Sequence, residues 1–380
     1  MVPPPAARAR RIADDVAAVH ADDVDERARF PHEALDALRE EGLLGSLVPV
    51  ALGGEGATVG QVAQAVTALG RACATTAMVY AMHQIQVACL VRHCGTDYAQ
   101  LVATDALLLA SATTEVGIGG DVRSSTCAVE RDGDRFRLRK EAPVISYGEH
   151  ADAILATARR TPDSPPSDQV LVVCRKPHAK LERRGEWDTL GFRGTCSNGF
   201  LLECEDDARY VLPESYGDIS SQTMLPVSHI VWASVWLGIA TSAVEKARQF
   251  VRAAARKAPG TTPPAAIHLA ELVAVHQQFA DLVGGAIRRY DDAWVADDRE
   301  AVSTMSFAVT ANALKVSASQ LVVDIVHRAM QICGMAGYRN DSPYSLGRLL
   351  RDAHGAALMV NNDRIVGNSA QLLLVSKEQL

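Results

Sequence analysis

No Cys-x-x-Cys pair occurs in this chain. Its eight cysteines (Cys73, Cys89, Cys94, Cys127, Cys174, Cys196, Cys204 and Cys333) are scattered. Neither a zinc site nor a disulfide framework is expected, and a reducing cytoplasm fits. A basic excess is also missing. Against 45 acidic residues there are 38 Lys and Arg, a net charge of −7, which argues against nucleic acid as the main partner. No run approaches the roughly 20 apolar residues of a membrane span. Met1 to Arg11 carries prolines and arginines but no apolar stretch, so it does not read as a secretory signal. A glycine-rich stretch does occur, but no helix pattern follows Gly120, so it is not the dinucleotide-binding fingerprint. The remaining class is a globular cytoplasmic protein, 48% apolar, long enough for two or three domains that each bury a core.

The pattern divides the chain into residues 1–109, 110–213 and 214–380. The first block is helical. Residues 8–23 are Ala-rich and charged. Phe30-Pro31 opens a second helix with proline in its first turn, Leu35, Leu38 and Leu43 mark its buried face, and Gly42 ends it. Helical spacing resumes over 61–73 and 76–93. From Leu107 the period shortens: 126–129 and 136–138 flank the turn dipeptide Asp132-Gly133 as a hairpin. Further short strands are expected at 144–145, 154–156, 170–174 and 200–202. The third block is helical again, and Leu269, Leu272, His276, Phe279, Val283, Ile287, Tyr290 and Trp294 form one apolar stripe of a long helix.

Between the first two blocks lies Thr113-Thr114-Glu115-Val116-Gly117-Ile118-Gly119-Gly120-Asp121. Glycines let backbone amides approach a ligand and form an anion-binding nest; a plain connection between strands has the same composition.

Taken with other stretches, this loop resembles the flavin loop of the acyl-CoA dehydrogenase family. Phe30-Pro31, Gly42-Leu43-Leu44, Val48-Pro49 and Gly53-Gly54-Glu55-Gly56 resemble the family's early pattern. Leu190-Gly191-Phe192-Arg193-Gly194-Thr195, Gln331-Ile332-Cys333-Gly334-Met335-Ala336-Gly337-Tyr338 and Leu350-Arg351-Asp352-Ala353 resemble later ones. The resemblance implies an α+β fold: an N-terminal α-helical domain, a middle β domain and a C-terminal four-helix bundle. It implies FAD, with Thr113, Thr114, Gly119, Gly120 and Ser146 at the flavin ring. It also implies Arg256 at the pyrophosphate of a neighbouring subunit and Gln331 toward the adenine, hence a homodimer or homotetramer. A guanidinium suits a diphosphate as a bidentate donor. The chain departs from the family pattern at Val144, Pro259 and Met335, each of which bears on the cofactor's seat.

The catalytic carboxylate is missing as well. By the resemblance, the base positions fall on Val360 and Ser228, and neither side chain can take an α-proton from a thioester. Three readings stay open. In the first, the enzyme oxidises an acyl-CoA or carrier-bound thioester, in specialised metabolism, with Asp363, His229 or His83 as substitute base. In the second, it is a flavin-dependent monooxygenase using O₂ on an aromatic or cyclic acyl-CoA, as in tropone-type metabolism, with Asn361 and Asn362 beside the flavin. In the third, it binds flavin without catalysis. Asn361 and Asn362 also suit the start of a helix, where asparagine caps backbone amides. Glu115 and Asp121 are expected to fix the loop.

Overall fold

The computed structural model describes residues 3–94, 96–118 and 123–376. Six helices form the N-terminal part. α1 (Pro5–Ile12), a π-helical turn (Ala13–Ala17) and α2 (Ala18–Glu26) follow one another directly; then come α3 (His32–Glu40), α4 (Val59–Ala72), α5 (Ala74–His93) and α6 (Thr96–Thr104). Pro31 is the N-cap residue of α3, one position before the expected first turn. α4 starts on a capping box: the Thr58 hydroxyl accepts from Gln61 N, and the Gln61 side chain accepts from Thr58 N. α5 is buried on nearly every side, so its sequence carries little amphipathic pattern.

Seven strands follow: β1 (Leu109–Ala112), β2 (Glu130–Asp132), β3 (Arg135–Ala142), β4 (Ala153–Arg159), β5 (Gln169–Arg175), β6 (Ala179–Gly185) and β7 (Gly199–Asp207). They make two sheets, ordered β1-β4-β5 and β2-β3-β7-β6. The sequence pattern errs in three places. Residues 126–129 contribute only an isolated bridge from Ala128 to Arg159, and the hairpin strand begins at Glu130. Residues 144–145 are not a strand; Ile145 N donates to Asn198 O and the chain turns at Tyr147, whose φ is +42°. β6 is half-exposed and charged along its length, which hides its period. β3 alternates cleanly, with Arg135, Arg137 and Arg139 outward and Phe136, Leu138 and Lys140 inward.

The C-terminal part is helical: α7 (Tyr216–Ile219), α8 (Leu225–Lys257), α9 (Ala265–Ala296), α10 (Arg299–Val302), α11 (Met305–Cys333), α12 (Met335–Tyr338), α13 (Gly347–His354) and α14 (Asn362–Val375). α8, α9 and α11 pack on one another, and α14 lies against α11. Along the α9 stripe Leu272, Phe279, Val283 and Tyr290 are buried, whereas Leu269, His276, Ile287 and Trp294 are half-buried at its margin. α8 also crosses α4 closely: a Cβ on Gly238 would lie 2.7 Å from Thr67 O and 2.8 Å from Gly70 Cα. In length and composition the helices over Tyr216–Lys257 and Met305–Cys333 reach the membrane-span range, contrary to the sequence reading, but 78% of the first one's most apolar window is buried inside the protein. One large apolar core runs through all three parts.

Candidate active site

The loop after β1 is held from behind by a buried ion pair. Lys140 enters the core from β3, where its neighbours on that face are apolar, and its Nζ lies 3.2 Å from Glu115 Oε2 and 2.8 Å from Thr157 O. Glu115 also accepts from Ser125 Oγ (2.6 Å), Thr126 N (3.1 Å) and Cys127 N (2.8 Å). Burial alone would raise its pKa, but the Ser125 and Thr126 hydrogen bonds and the Lys140 charge bring it down to about 2. Glu115 therefore stays ionised and fixes the loop, and Val116 N pins it to Glu141 O (3.0 Å).

Thr113 and Thr114, just ahead of this anchor, line a cavity of about 520 Å³. The Thr114 hydroxyl donates to Val144 O (3.2 Å), which leaves its oxygen to accept. Ser146 accepts from Ser197 Oγ (2.8 Å), which leaves its own hydrogen to donate. Trp187 and residues 189–192 continue this β-side lining. Trp187 Nε1 donates to Phe192 O (3.0 Å), and Phe192 N donates to Asp352 Oδ1 (2.7 Å) on α13. Burial pushes the pKa of Asp352 up to about 6, against the lowering effect of the Phe192 hydrogen bond. Gly191 has no room for a side chain, since a Cβ would fall 2.3 Å from Arg351 O. Two motifs far apart in sequence thus dock into one wall.

The helices close the other side. α5 contributes Met78, Met82, Ile85 and Gln86, α8 contributes Ser228 and Trp232, and the stretch after α13 contributes Leu358, Met359 and Val360. Apolar faces with hydroxyls at one wall suit a flat heteroaromatic ring with polar edges. On two of these lining residues a polar atom, Gln86 Oε1 and Trp232 Nε1, is closed off from solvent and has no protein partner. No carboxylate lines the cavity among the described residues, and His354 is the one imidazole that does.

Val360 and Ser228, the two positions read as lacking a base, both line the cavity. The Ser228 hydroxyl is turned back onto Met224 O within its own helix. The five residues proposed for catalysis do not line it. Asn361 caps α14, its Oδ1 accepting from Asp363 N (2.8 Å), and Asp363 is exposed in the first turn. Asn362 turns toward α11, accepting from Lys315 Nζ (2.7 Å) and donating to Ser319 Oγ (3.0 Å). His229 bonds Ala311 O through Nδ1 (3.0 Å), and burial lowers its pKa to about 4. His83 uses both nitrogens on backbone, Nε2 with Leu44 O (2.9 Å) and Nδ1 accepting from Leu109 N (3.0 Å). Burial lowers the His83 pKa to about 4 as well. It is a neutral core histidine joining α5 to β1.

Of the cofactor residues, Thr113, Thr114 and Ser146 come together, and Gly119 and Gly120 lie outside the described residues. Arg256 and Gln331 are exposed, at the ends of α8 and α11. The 28 helical steps from Ser228 to Arg256 span about 42 Å at 1.5 Å per residue. Gln86, Trp187, Trp232 and Asp352 were not singled out as site residues by the sequence. They share no spacing, and only the fold gathers them.

Two family models match the chain: "Acyl-CoA dehydrogenase, N-terminal domain" over residues 6–101 and "Acyl-CoA dehydrogenase, C-terminal domain" over residues 218–359. The chain is 26% identical over 366 residues to the cyclohex-1-ene-1-carbonyl-CoA dehydrogenase of Geobacter metallireducens, covering 94% of this chain and 93% of that protein. It is 27% identical over 350 residues to the amino sugar nitrososynthase DnmZ of Streptomyces peucetius, covering 89% and 84%. Its fold matches FMN-bound TdsC of Paenibacillus sp. A11-2 with a TM-score of 0.84, over 97% of each chain at 19% identity.

Proposed function

This chain belongs to the acyl-CoA dehydrogenase family and is a flavoenzyme oxidoreductase; from that premise we propose that it is a flavin-dependent monooxygenase acting on a largely apolar, ring-sized substrate. The observation that carries the proposal is the cavity lining. Thioester desaturation needs a proton acceptor within hydrogen-bond reach of an α-carbon. The positions where the family would supply it are Val360, which has no basic atom, and Ser228, whose hydroxyl is committed to Met224 O. Oxygen insertion makes no demand for such a base.

Thr113, Thr114 and Ser146 would hold the edge of the flavin ring, with acceptor and donor atoms available for it. The bound flavin supplies two-electron redox chemistry and, when reduced, activation of O₂. The protein contributes orientation and an apolar wall, built by the buried Met78 and Ile85 and the half-buried Met82 of α5. We take the cofactor as FAD rather than FMN, because Arg256 and Gln331, at the positions where the family resemblance puts the pyrophosphate and adenine contacts, are exposed to solvent. The helix span from Ser228 means that Arg256 would make its contact for a second copy of the chain. The names of similar proteins span both chemistries, a cyclohex-1-ene-1-carbonyl-CoA dehydrogenase and, for TdsC, a dibenzothiophene monooxygenase. Supplying reduced flavin and heavy-isotope O₂ tests the proposal: label in the product supports it, and unlabelled product formed without O₂ refutes it.

A second reading has its own observation. His354 lines the cavity and could take the α-proton of a thioester, which would restore dehydrogenation without a carboxylate. Under that reading His354→Ala abolishes bleaching of the flavin by a saturated acyl-CoA; under the monooxygenase reading there is no bleaching to abolish.

A further inference from the structure

Thr195, Ser197 and Ser146 all line the cavity from its β side, and their hydroxyls form one chain. Thr195 Oγ1 donates to Phe192 O (2.8 Å) and lies 2.8 Å from Ser197 Oγ, and Ser197 Oγ donates to Ser146 Oγ (2.8 Å). Thr195 and Ser197 are buried, whereas Ser146 is half-buried. The backbone holds the chain in place. A short helical turn (Arg193–Thr195) is followed by Cys196 at φ +46°. On either side of Ser146, Ile145 N donates to Asn198 O (2.9 Å) and Tyr147 N to Thr195 O (2.8 Å).

A serine hydroxyl has one hydrogen to give and lone pairs to accept with. Ser197 gives its hydrogen to Ser146, and the hydrogen of Ser146 itself has no acceptor among the described residues. The chain therefore has a polarity and ends on a donor at the cavity wall. A lone serine would turn to donate or accept as its partner required, but Ser197 holds this one in the donating sense. Thr114, whose hydroxyl is turned onto Val144 O, offers the opposite polarity. A flavin ring changes polarity when it takes up two electrons: a ring-edge nitrogen that accepts in the oxidised form carries a hydrogen and donates in the reduced form.

We infer, on the reading of this wall as the flavin's seat, that Ser197 is a positioning residue for the cofactor's redox state. By holding Ser146 as a donor, it makes the site favour the oxidised ring over the reduced one more than Ser146 alone would. A seat that disfavours the reduced ring eases the passage of its electrons onward, to O₂ under the reading above. Ser197 acts in this role only through Ser146.

The test is the two-electron reduction potential of the FAD-loaded protein, read by equilibration with a reference dye with air excluded. In Ser197→Ala the Ser146 hydroxyl is free to turn and accept. The affinity for reduced relative to oxidised flavin should then rise about fivefold, the effect of one buried hydrogen bond, which raises the potential by about 20 mV. Ser197→Thr, which keeps the hydroxyl, should retain the wild-type potential. Ser146→Ala is the independent check if Ser197→Ala does not fold. A serine held as a donor serves only the oxidised ring, so its loss also raises the potential, whereas a freely turning serine serves both forms and its loss leaves the potential unmoved. Adding Ser197→Ala to Ser146→Ala should change nothing further. Wild-type potentials in both single variants, as for residues that only pack the turn, overturn the inference, and so does a further shift in the double variant. A wild-type protein that holds no flavin overturns the flavin seat as well. No turnover enters the measurement, so its failure is distinct from failure of the O₂ assay.

Discussion

Val360 stands in the cavity wall with φ +53°, and Asn361 follows at φ +38°. A β-branched residue in the left-handed region is a true backbone outlier, costing on the order of 1–3 kcal/mol. The chain turns sharply here. It leaves Val360 in the cavity lining while the next side chain swings out to cap α14 and Asn362 turns to Lys315. Val360 and Ser228 were readable as positions of interest and both line the cavity, but the direction of the asparagines was not readable. His83 and Gln86 illustrate the same limit on α5. Both are fully or nearly fully buried, one bonded to backbone and one lining the cavity, and a helix buried on all sides carries no periodic signal to distinguish them. Val360→Glu tests whether the base alone separates this site from a desaturase. The variant should gain flavin bleaching by a saturated acyl-CoA; a folded, flavin-loaded variant that shows none means the thioester is not positioned here at all.

At the scale of elements, β3 and the loop after β1 are joined by Glu115 and Lys140 in the core. The glycine-rich loop was evident in sequence, and Glu115 was read as its fixing residue. Its partner was not evident, because a lysine at an inward position of a strand is visible only once the strand's facing is known. Leaving Lys140 buried without its carboxylate costs about 3–5 kcal/mol. Glu115 has its folded-state pKa brought down to about 2, below the ordinary value of 4.5, so the stability it contributes is present above pH 4.5 and is lost as pH falls toward 2. Glu115→Gln should thus be clearly less stable than wild type at pH 6–7 in urea unfolding. The gap should close as pH falls from 4.5 toward 2, because the wild-type carboxyl becomes neutral too. A gap independent of pH would mean that Glu115 acts through shape alone.

At the scale of the whole molecule, the cavity exists because three parts of the chain meet. α5 comes from the first, the β-side hydroxyls and Trp187 from the second, and α8 with the stretch after α13 from the third. The order helical, β, helical was readable from periodicity, as was the long stripe of α9. The joints were not: the hydrogen bond from Phe192 N to Asp352 spans 160 residues, and long-range contacts leave no trace in local spacing. With Arg256 serving the pyrophosphate as proposed, the span of α8 makes the cofactor site larger than one chain. Arg256→Ala should lower FAD occupancy of the purified protein several-fold without affecting its fold, measured by released flavin per chain; unchanged occupancy would remove Arg256 from the site. The central claim, that the cavity lacks a base for thioester desaturation, is tested most directly by anaerobic rapid mixing. FAD-loaded protein is mixed with butyryl-, octanoyl- and cyclohexanecarbonyl-CoA while the flavin band is followed. The account predicts that the band persists with all three. Bleaching by any of them would contradict it and would make His354 the first residue to replace.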